Sequence, residues 1–194
     1  MKVLLIGYPE SKIKDFLSTN EDLFFIDGSE KITMEKISHL DPELIVLHGC
    51  HSILSKGIVK KYVGKIINCH GAYLPFNRGS HPNVWSIVDD TIKGGTIHFI
   101  DEDIDRGFII DRREIFFDDE ETLSSSYWKI RDLLEIMFIE DWDRIKSQKI
   151  YKDSPTVGVG TIHYRKDLKK IEHLLIDGWE TKISDIKRLK NLSN

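Results

Sequence analysis

Short apolar runs separated by longer polar stretches dominate the first 70 residues. The runs cover residues 2–7, 23–26, 44–47 and 65–69. A run that is apolar throughout predicts a strand buried on both faces, as in a parallel sheet. Each polar stretch between two runs is long enough for a helix, which predicts successive βαβ units. We therefore expect an α/β fold with a Rossmann-like, mostly parallel twisted sheet and helices on both faces.

The pattern changes after Gly94. Residues 96–100 and 108–117 are rich in β-forming side chains and flank an acidic turn at 101–107, which predicts two paired strands. Beyond a candidate N-cap at Thr122, apolar side chains recur in steps of three and four residues and predict one long helix packed on the core. This stripe comprises Leu123, Tyr127, Ile130, Leu134, Met137, Phe138 and Ile145.

The remainder of the chain has weaker signals. A strand pattern over residues 156–164 precedes an amphipathic segment over residues 168–175 and a turn at Asp177-Gly178. We expect a catalytic domain over residues 1–150 and a short C-terminal extension over residues 151–194.

Composition narrows the class of protein. The 194 residues include 32 acidic and 28 basic side chains, a formal charge of −4, which is unlike the basic stripe of a general nucleic-acid binder. The first apolar run is too short for a signal peptide or a membrane span. We therefore expect a cytosolic protein without nucleic-acid or membrane partners, in which Cys50 and Cys69 are reduced thiols.

The densest group of reactive side chains follows the fourth predicted strand, at residues 67–79. Ligands of open α/β sheets bind beyond the carboxyl ends of the strands. Strand alternation places Asn68 and His70 on one side and Cys69 on the other, which argues against Cys69 as a nucleophile. Asp105 in the acidic turn offers a carboxylate. The residues alone leave two interpretations open. In the first, the three residues form one Asn/His/Asp site. In the second, Asn68 caps the strand end, His70 is a buried hydrogen-bonded histidine and Asp105 is a solvated turn residue.

The order and spacing of several short motifs resemble the folate-dependent formyltransferase family over about residues 44–115. The matching motifs are Asn68-x-His70, Leu74-Pro75, Arg78-Gly79, Thr96-Ile97-His98 and Asp105-Arg106-Gly107. The resemblance implies the formyltransferase fold and places the catalytic groups at Asn68, His70 and Asp105. It also implies that Asn68 and His70 stabilise an oxyanion, while Asp105 orients His70 and serves proton transfer.

The resemblance further implies a co-substrate, 10-formyltetrahydrofolate, and no metal. Its folate-binding residues would be Cys50, His51, Ile53, Leu54, Ile100 and Asp101. Asp103 and Arg106 stand where the family usually has Gly and Thr, so the folate contact of this turn is left open. Gly71 and Ile92 are two further departures from the usual pattern.

Residues 73–86, followed by Lys93-Gly94, resemble the branch of the family that acts on nucleotide-linked amino sugars. This implies a dTDP-linked amino-deoxy sugar used for surface polysaccharide such as lipopolysaccharide O-antigen, and a homodimer built with the C-terminal region. Candidate substrate contacts are Tyr73, Asn77, Arg78 and His98.

Other functions are weighed against this one. Phosphoribosylglycinamide formyltransferase is the alternative within the family, but the loop Gly7-Tyr8-Pro9-Glu10-Ser11 lacks the phosphate-binding composition of that branch. The methionyl-tRNA branch is a weaker match, because its members carry an additional C-terminal domain and usually basic surfaces, whereas this chain is net acidic. A non-catalytic folate- or nucleotide-binding domain is the alternative from another class. A zinc site built from His48, Cys50, His51, Cys69 and His70 lacks the usual ligand spacing.

Overall fold

The computed structural model of the protein describes residues 1–147 and 160–193. The strands of these residues are β1 (Lys2–Gly7), β2 (Asp22–Asp27), β3 (Leu44–His48), β4 (Ile66–His70), β5 (Arg78–Gly79), β6 (Gly94–Phe99), β7 (Ile109–Glu114) and β8 (Ile162–His163). The helices are α1 (Lys12–Asn20), α2 (Met34–Leu40), α3 (Lys56–Lys61), α4 (Pro82–Val88), α5 (Leu123–Glu140), α6 (Trp142–Lys146) and α7 (Ile183–Ser193). Short 3₁₀ turns occupy Arg165–Lys170, Glu172–Leu174 and Gly178–Glu180.

Six strands form one sheet in the order β2-β1-β3-β4-β6-β7. Strand β1 pairs in parallel with β2 and β3, and β3 pairs in parallel with β4. Strand β7 returns antiparallel to β6, because Phe99 N donates to Phe108 O and Ile115 N donates to Lys93 O. The predicted α/β fold with a mostly parallel sheet is confirmed. Strand β7 is shorter than the predicted segment 108–117.

The described residues divide into two compact units. The first unit contains Met1–His70, Ile97–Asp111 and the described part of residues 135–157. The second contains Gly71–Thr96, Arg112–Leu134 and the described part of residues 158–194. The predicted domain boundary between residues 150 and 151 lies outside the described residues, as does the beginning of the predicted strand at 156–164.

The core of the first unit is built by β1, β3 and β4 with the helices between them. Leu4, Ile45 and Ile66 from these three strands are buried in one apolar cluster together with Ile37 of α2 and Ile58 of α3. Polar side chains start the helices, since Ser11, Thr33 and Ser55 each accept a hydrogen bond from a backbone N–H of the first turn. The apolar runs define the strands, and the caps mark where the helices that follow them begin. The polar residues described below lie at the ends of the strands.

The core of the second unit joins α4 to the C-terminal elements. Trp85 of α4 is buried in a cluster with Leu123, Ile171, Ile183 and Ile186 and is a core residue. Helix α7, which supplies Ile183 and Ile186, has no counterpart among the predicted elements. The predicted amphipathic segment at 168–175 lies in two 3₁₀ turns, Arg165–Lys170 and Glu172–Leu174.

The helix predicted after Thr122 is confirmed, with two corrections. The Thr122 hydroxyl accepts a hydrogen bond from Ser125 N at 3.1 Å, so the N-cap prediction is correct. The helix is interrupted at Asp141, and Ile145 belongs to α6. Tyr127 is 39% exposed and is not part of the buried stripe. Ser126 takes the core-facing position instead, because its hydroxyl bonds both Leu123 O and the Asn83 amide.

No helix among the described residues is both long and apolar enough to span a bilayer.

Candidate active site

Four polar side chains converge in the first unit, at neighbouring strands and the turn that follows them. Asn68 and His70 lie at the carboxyl end of β4, and His98 lies on β6, the next strand in the sheet. Asp105 lies in the turn between β6 and β7. The alternation of a strand puts residues 68 and 70 on one side, as predicted, and both of them face Asp105.

The distances show which groups interact. The Asn68 amide Nδ2 donates to Asp105 Oδ1 at 3.3 Å and lies 3.4 Å from His98 Nε2. His98 Nε2 lies 3.5 Å from the same carboxylate oxygen. The other oxygen, Asp105 Oδ2, lies 3.7 Å from His70 Nδ1, which is ion-pair distance and longer than a hydrogen bond. One carboxylate therefore faces an amide and two imidazoles.

The backbone of the acidic turn is adapted to point Asp105 inward. Asp105 has φ of 48°, a left-handed conformation that Asn and Asp adopt more readily than other side chains. A Cβ on Gly107 would lie 1.8 Å from Phe99 O, so only glycine lets the turn pack this closely on β6. Asp103 and Arg106 form an exposed ion pair at 3.7 Å. The two departures from the family pattern thus lie at the surface of the turn while Asp105 is mostly buried.

His98 has a defined role in this cluster. Its side chain is 0% exposed, and its Nδ1 lies 2.8 Å from Phe99 O. Because a carbonyl oxygen only accepts, Nδ1 carries the proton of this contact, and in that tautomer Nε2 can accept from the Asn68 amide. His98 therefore contacts the Asn68 amide, and its role as a substrate contact stays a prediction.

Cys69 is separated from this cluster. It is buried, and burial raises the pKa of its thiol, with a further increase from the nearby Glu135 carboxylate. A thiol held protonated is a poor nucleophile. The geometry adds to the argument against Cys69 as a nucleophile.

The predicted folate loop follows β3 and is anchored at both ends. Gly49 has φ of 84°, and a Cβ there would lie 2.2 Å from the Tyr8 ring. His51 N donates to Gly28 O at 2.9 Å, and the Cys50 thiol donates to Ser52 O at 3.4 Å. Burial raises the pKa of the Cys50 thiol. The loop is therefore held by backbone contacts to the ends of β1 and β2.

The predicted folate contacts differ in accessibility. Ile53 is 87% exposed, whereas Leu54 is buried in the core cluster of the first unit. Ile100 packs against the same cluster and donates its N–H to Ile66 O. Asp101 is exposed and accepts from Asp103 N at 2.9 Å. Ile53 is the apolar side chain of this set that a flat ligand can cover directly.

A buried pair beneath the loop has no counterpart in the sequence predictions. His48 Nε2 lies 3.1 Å from Glu135 Oε1, and Glu135 is only 3% exposed. The second carboxylate oxygen, Oε2, accepts from Lys12 N at the start of α1. Tyr8 packs edge-on against the His48 ring at 4.9 Å. A carboxylate within the apolar stripe of α5, between Leu134 and Phe138, was the sequence signal for such a buried partner.

The three remaining predicted substrate residues belong to the second unit. The Tyr73 ring lies 4.7 Å from the Arg112 guanidinium, and Arg78 forms β5. Asn77 is fully buried with φ of 55°, and its amide donates to Thr91 Oγ1 while its carbonyl oxygen accepts from Thr161 Oγ1. These bonds give Asn77 a structural role in holding the loop.

Among residues 1–147 and 160–193, no group of three or more His, Cys, Asp or Glu side chains is arranged to hold a metal ion.

The fold agrees with the comparisons to known proteins. The family model described as formyl transferase matches residues 26–141, more than half of the chain, and the protein belongs to this family. The formyltransferase PseJ from Anoxybacillus kamchatkensis, solved with UDP-4,6-dideoxy-4-formamido-L-AltNAc and tetrahydrofolate, is similar with a TM-score of 0.87 and 32% identity. The similarity covers 96% of this chain and 97% of that one.

Curated relatives share a shorter region. The dTDP-4-amino-4,6-dideoxyglucose formyltransferase of Mycobacterium tuberculosis is 30% identical over 130 residues, which are 67% of this chain and 55% of the relative. The methionyl-tRNA formyltransferase of Thermodesulfovibrio yellowstonii is 30% identical over 138 residues, 71% of this chain and 44% of that protein. The chain thus spans about half the length of the curated relatives it matches.

Proposed function

We propose that the protein is a sugar N-formyltransferase. It moves a formyl group from 10-formyltetrahydrofolate to the amino group of a nucleotide-linked amino-deoxy sugar, with dTDP as the predicted carrier. The observation that carries the proposal is the grouping of Asn68, His70 and Asp105 in one largely buried cluster. The similarity to PseJ over nearly the full length of both chains supports the sugar branch.

The first requirement of this reaction is a neutral amine. An aliphatic amine with a pKa near the lysine value of about 10.4 is almost entirely protonated at neutral pH and cannot attack. Asp105 supplies a carboxylate for the amine proton, either directly or through a water molecule. A general base of this kind contributes about 10²–10⁴-fold to the rate.

The second requirement is stabilisation of the oxyanion that forms when nitrogen adds to the formyl carbon. The Asn68 amide has two N–H groups, of which one is held by Asp105 and the other points at His98 Nε2 over a long 3.4 Å contact. A charge-assisted bond to an oxyanion is about twice as strong as a neutral bond, so this second N–H can exchange its partner. His70, with Nδ1 towards Asp105, presents its other ring nitrogen to the same oxygen.

Collapse of the tetrahedral intermediate completes the transfer. The carbonyl re-forms, the bond from the formyl carbon to the folate nitrogen breaks, and that nitrogen takes up a proton. In this scheme His98 is a positioning residue that keeps the Asn68 amide oriented. The protein groups suffice for these steps, and no metal is invoked.

The folate loop fits this co-substrate through its exposed apolar side chain and its fixed backbone. We propose that Ile53 covers the pterin ring and that Cys50 and His51 line the same loop. Ile100 and Asp101 follow β6 and complete the predicted contacts. Leu54 acts by holding the loop to the core.

The start of α1 distinguishes the sugar branch from the purine alternative. A helix N-terminus is a ready site for a phosphate, because its backbone N–H groups point outward. Here Lys12 N is bonded to the Glu135 carboxylate, and Ser11 caps Lys14 N. A phosphate at this position would meet a buried carboxylate, so a phosphoribosyl substrate is disfavoured.

The remaining predictions concern the setting of the reaction. We propose a cytosolic homodimer that uses the C-terminal extension, predicted as residues 151–194, and a product destined for surface polysaccharide such as O-antigen. Tyr73, Asn77 and Arg78 stay the predicted substrate contacts of the second unit. The protein has a small-molecule substrate and no nucleic-acid or membrane partner in this proposal.

A competition between amine substrates tests the proposal. The protein is incubated with 10-formyltetrahydrofolate and, in parallel, with dTDP-linked amino sugars, UDP-linked amino sugars or glycinamide ribonucleotide. Formylation of a nucleotide-linked sugar, detected by mass spectrometry, is the expected result. Turnover confined to the ribonucleotide would refute the sugar assignment, and folate binding without turnover on any amine would favour the non-catalytic alternative.

A further inference from the structure

Trp179 is an exposed aromatic side chain whose ring stacks against His81, a histidine within residues 73–86. Its indole is 50% exposed, and the ring lies nearly parallel to the His81 imidazole, with centroids 5.9 Å apart and planes at 13°. The stack joins the turn Gly178–Glu180 to the residue that precedes α4. A large aromatic surface is therefore presented in a fixed orientation.

His81 is held in place by two features of its backbone and side chain. Its φ of 56° is left-handed, and its Nδ1 lies 2.8 Å from the Ser80 hydroxyl. Desolvation and the positive charge of Arg165 lower the pKa of His81, which favours the neutral imidazole. The ring thus contributes a flat, uncharged surface beside a cation.

The same unit carries Arg165, whose positive charge acts on His81, and Arg78 on the strand paired with β8. Strand β5 pairs with β8, so Arg78 lies opposite Ile162, and Arg165 follows three residues later. His163 of β8 is anchored by a parallel stack on Trp85 at 3.9 Å and by Asp89 at 2.9 Å. Within the part of the chain that the structure describes, Arg165 makes no ion pair with a carboxylate, and its side chain is exposed.

We infer that the His81–Trp179 patch, formed by His81, Arg165 and Trp179, binds the nucleoside diphosphate part of the substrate. The inference rests on the proposed function and names a binding surface for one part of that substrate. An exposed indole offers its face to a planar base, and stacking of this type contributes about 1–3 kcal/mol per base in single-stranded nucleic-acid complexes. A guanidinium pairs with phosphate oxygens through two parallel hydrogen bonds.

Titration of the full-length protein with UDP and with dTDP, without folate or sugar, tests the patch directly. Trp179→Ala is expected to weaken binding by about 5- to 150-fold, the equivalent of that stacking energy. Trp179→Phe keeps an aromatic face and is expected to retain most of the affinity. Arg165→Met is expected to weaken UDP more than uridine, since only UDP carries the phosphates.

Trp128→Ala is the matched control. Trp128 is also about half exposed, but it lies on α5 beside Arg131, and its loss is expected to leave nucleotide binding unchanged. Thermal unfolding of each variant shows whether it folds. If Trp179→Ala does not fold, the comparison of Trp179→Phe with the wild type still tests the stacking. Unchanged affinity in folded Trp179→Ala, or no nucleotide binding by the wild type, would overturn the inference.

A second copy of the chain covering Trp179 is another outcome, and it would contradict the inference. It would appear as a change in oligomeric state in Trp179→Ala without a change in nucleotide affinity. If the wild type binds nucleotide through Trp179 but formylates no nucleotide-linked sugar, the proposed function is wrong while the nucleotide-binding inference stands. In steady-state assays of an active enzyme, Trp179→Ala is expected to raise KM for the sugar nucleotide while kcat changes little.

Discussion

Asn68 Nδ2 donates to Asp105 Oδ1 at 3.3 Å, although 37 positions separate the two residues along the chain. The bond connects the end of β4 to the turn between β6 and β7, within a cluster that also contains His70 and His98. Because the cluster is largely removed from water, each electrostatic interaction in it is stronger than at the surface. The same carboxylate can orient the amide and receive the amine proton.

Asp105→Asn is expected to lower kcat by about 10²–10⁴-fold, because the amide cannot accept a proton as a carboxylate does. Asparagine tolerates the left-handed backbone of this position, so the fold is expected to be kept. Single-turnover measurements of formyl transfer check this. Asp103→Asn, in the same turn but exposed, is the control and should keep near-normal activity. Comparable rates for both variants would remove Asp105 from the mechanism.

Gly107→Ala is expected to destabilise the protein by about 1–3 kcal/mol, the usual range for overpacking. The added methyl group would approach Phe99 O at 1.8 Å, so the turn that carries Asp105 must shift. We expect lower activity together with a lower midpoint of thermal unfolding. Gly57→Ala, where the nearest atom lies 3.7 Å away, is the matched control and should be tolerated. Equal melting temperatures for the two variants would contradict this description of the turn.

Glu135→Ala is expected to cost about 1–3 kcal/mol of folding free energy, since it leaves buried polar groups without their hydrogen-bond partner. His48 and Lys12 N both lose a bond, at the base of the candidate folate loop. Chemical denaturation measures the loss, and variants that still fold should show a higher KM for 10-formyltetrahydrofolate. Glu102→Ala removes an exposed pair with Lys60 and should have little effect on either quantity.

Cys69 is expected to react slowly with thiol reagents in the native protein. Burial raises the pKa of this thiol, so the thiolate fraction stays low, and reactivity should appear only on unfolding. The sign of the linkage follows. Folding favours the protonated thiol, so its contribution to stability is present below the ordinary pKa of about 8.5 and is lost as the pH rises above it. Cys69→Ala should remain active, and its inactivation would give the thiol a role.

The sequence predicted the parts of the fold that repeat a simple pattern. Strands β1, β3 and β4 are buried on both faces, and their apolar runs therefore have one plausible structure. Helix α7 was not predicted because apolar residues spaced three apart in a mostly polar segment are a weak signal. Tyr127 was placed wrongly since its spacing fits the stripe, whereas the hydrogen bonds of Ser126 decide which side faces the core.

The site was predicted unevenly for a similar reason. Asn68, His70 and Asp105 were found because their motifs stay close to the family pattern. The His48–Glu135 pair joins residues 87 positions apart, and although a carboxylate in an apolar stripe indicates a buried partner, local sequence does not identify that partner as His48. The role of His98 depends on the proton of Nδ1, which only the neighbouring Phe99 carbonyl reveals.

The transfer of an isotopically labelled formyl group from 10-formyltetrahydrofolate to a nucleotide-linked amino sugar, followed in the wild type and in Asp105→Asn, tests the central claim most directly. We predict that the label appears on the sugar nitrogen with the wild type and forms at least 10²-fold more slowly, on the order of the loss of a general base, with the variant. Label transfer at the same rate in both proteins would contradict the account.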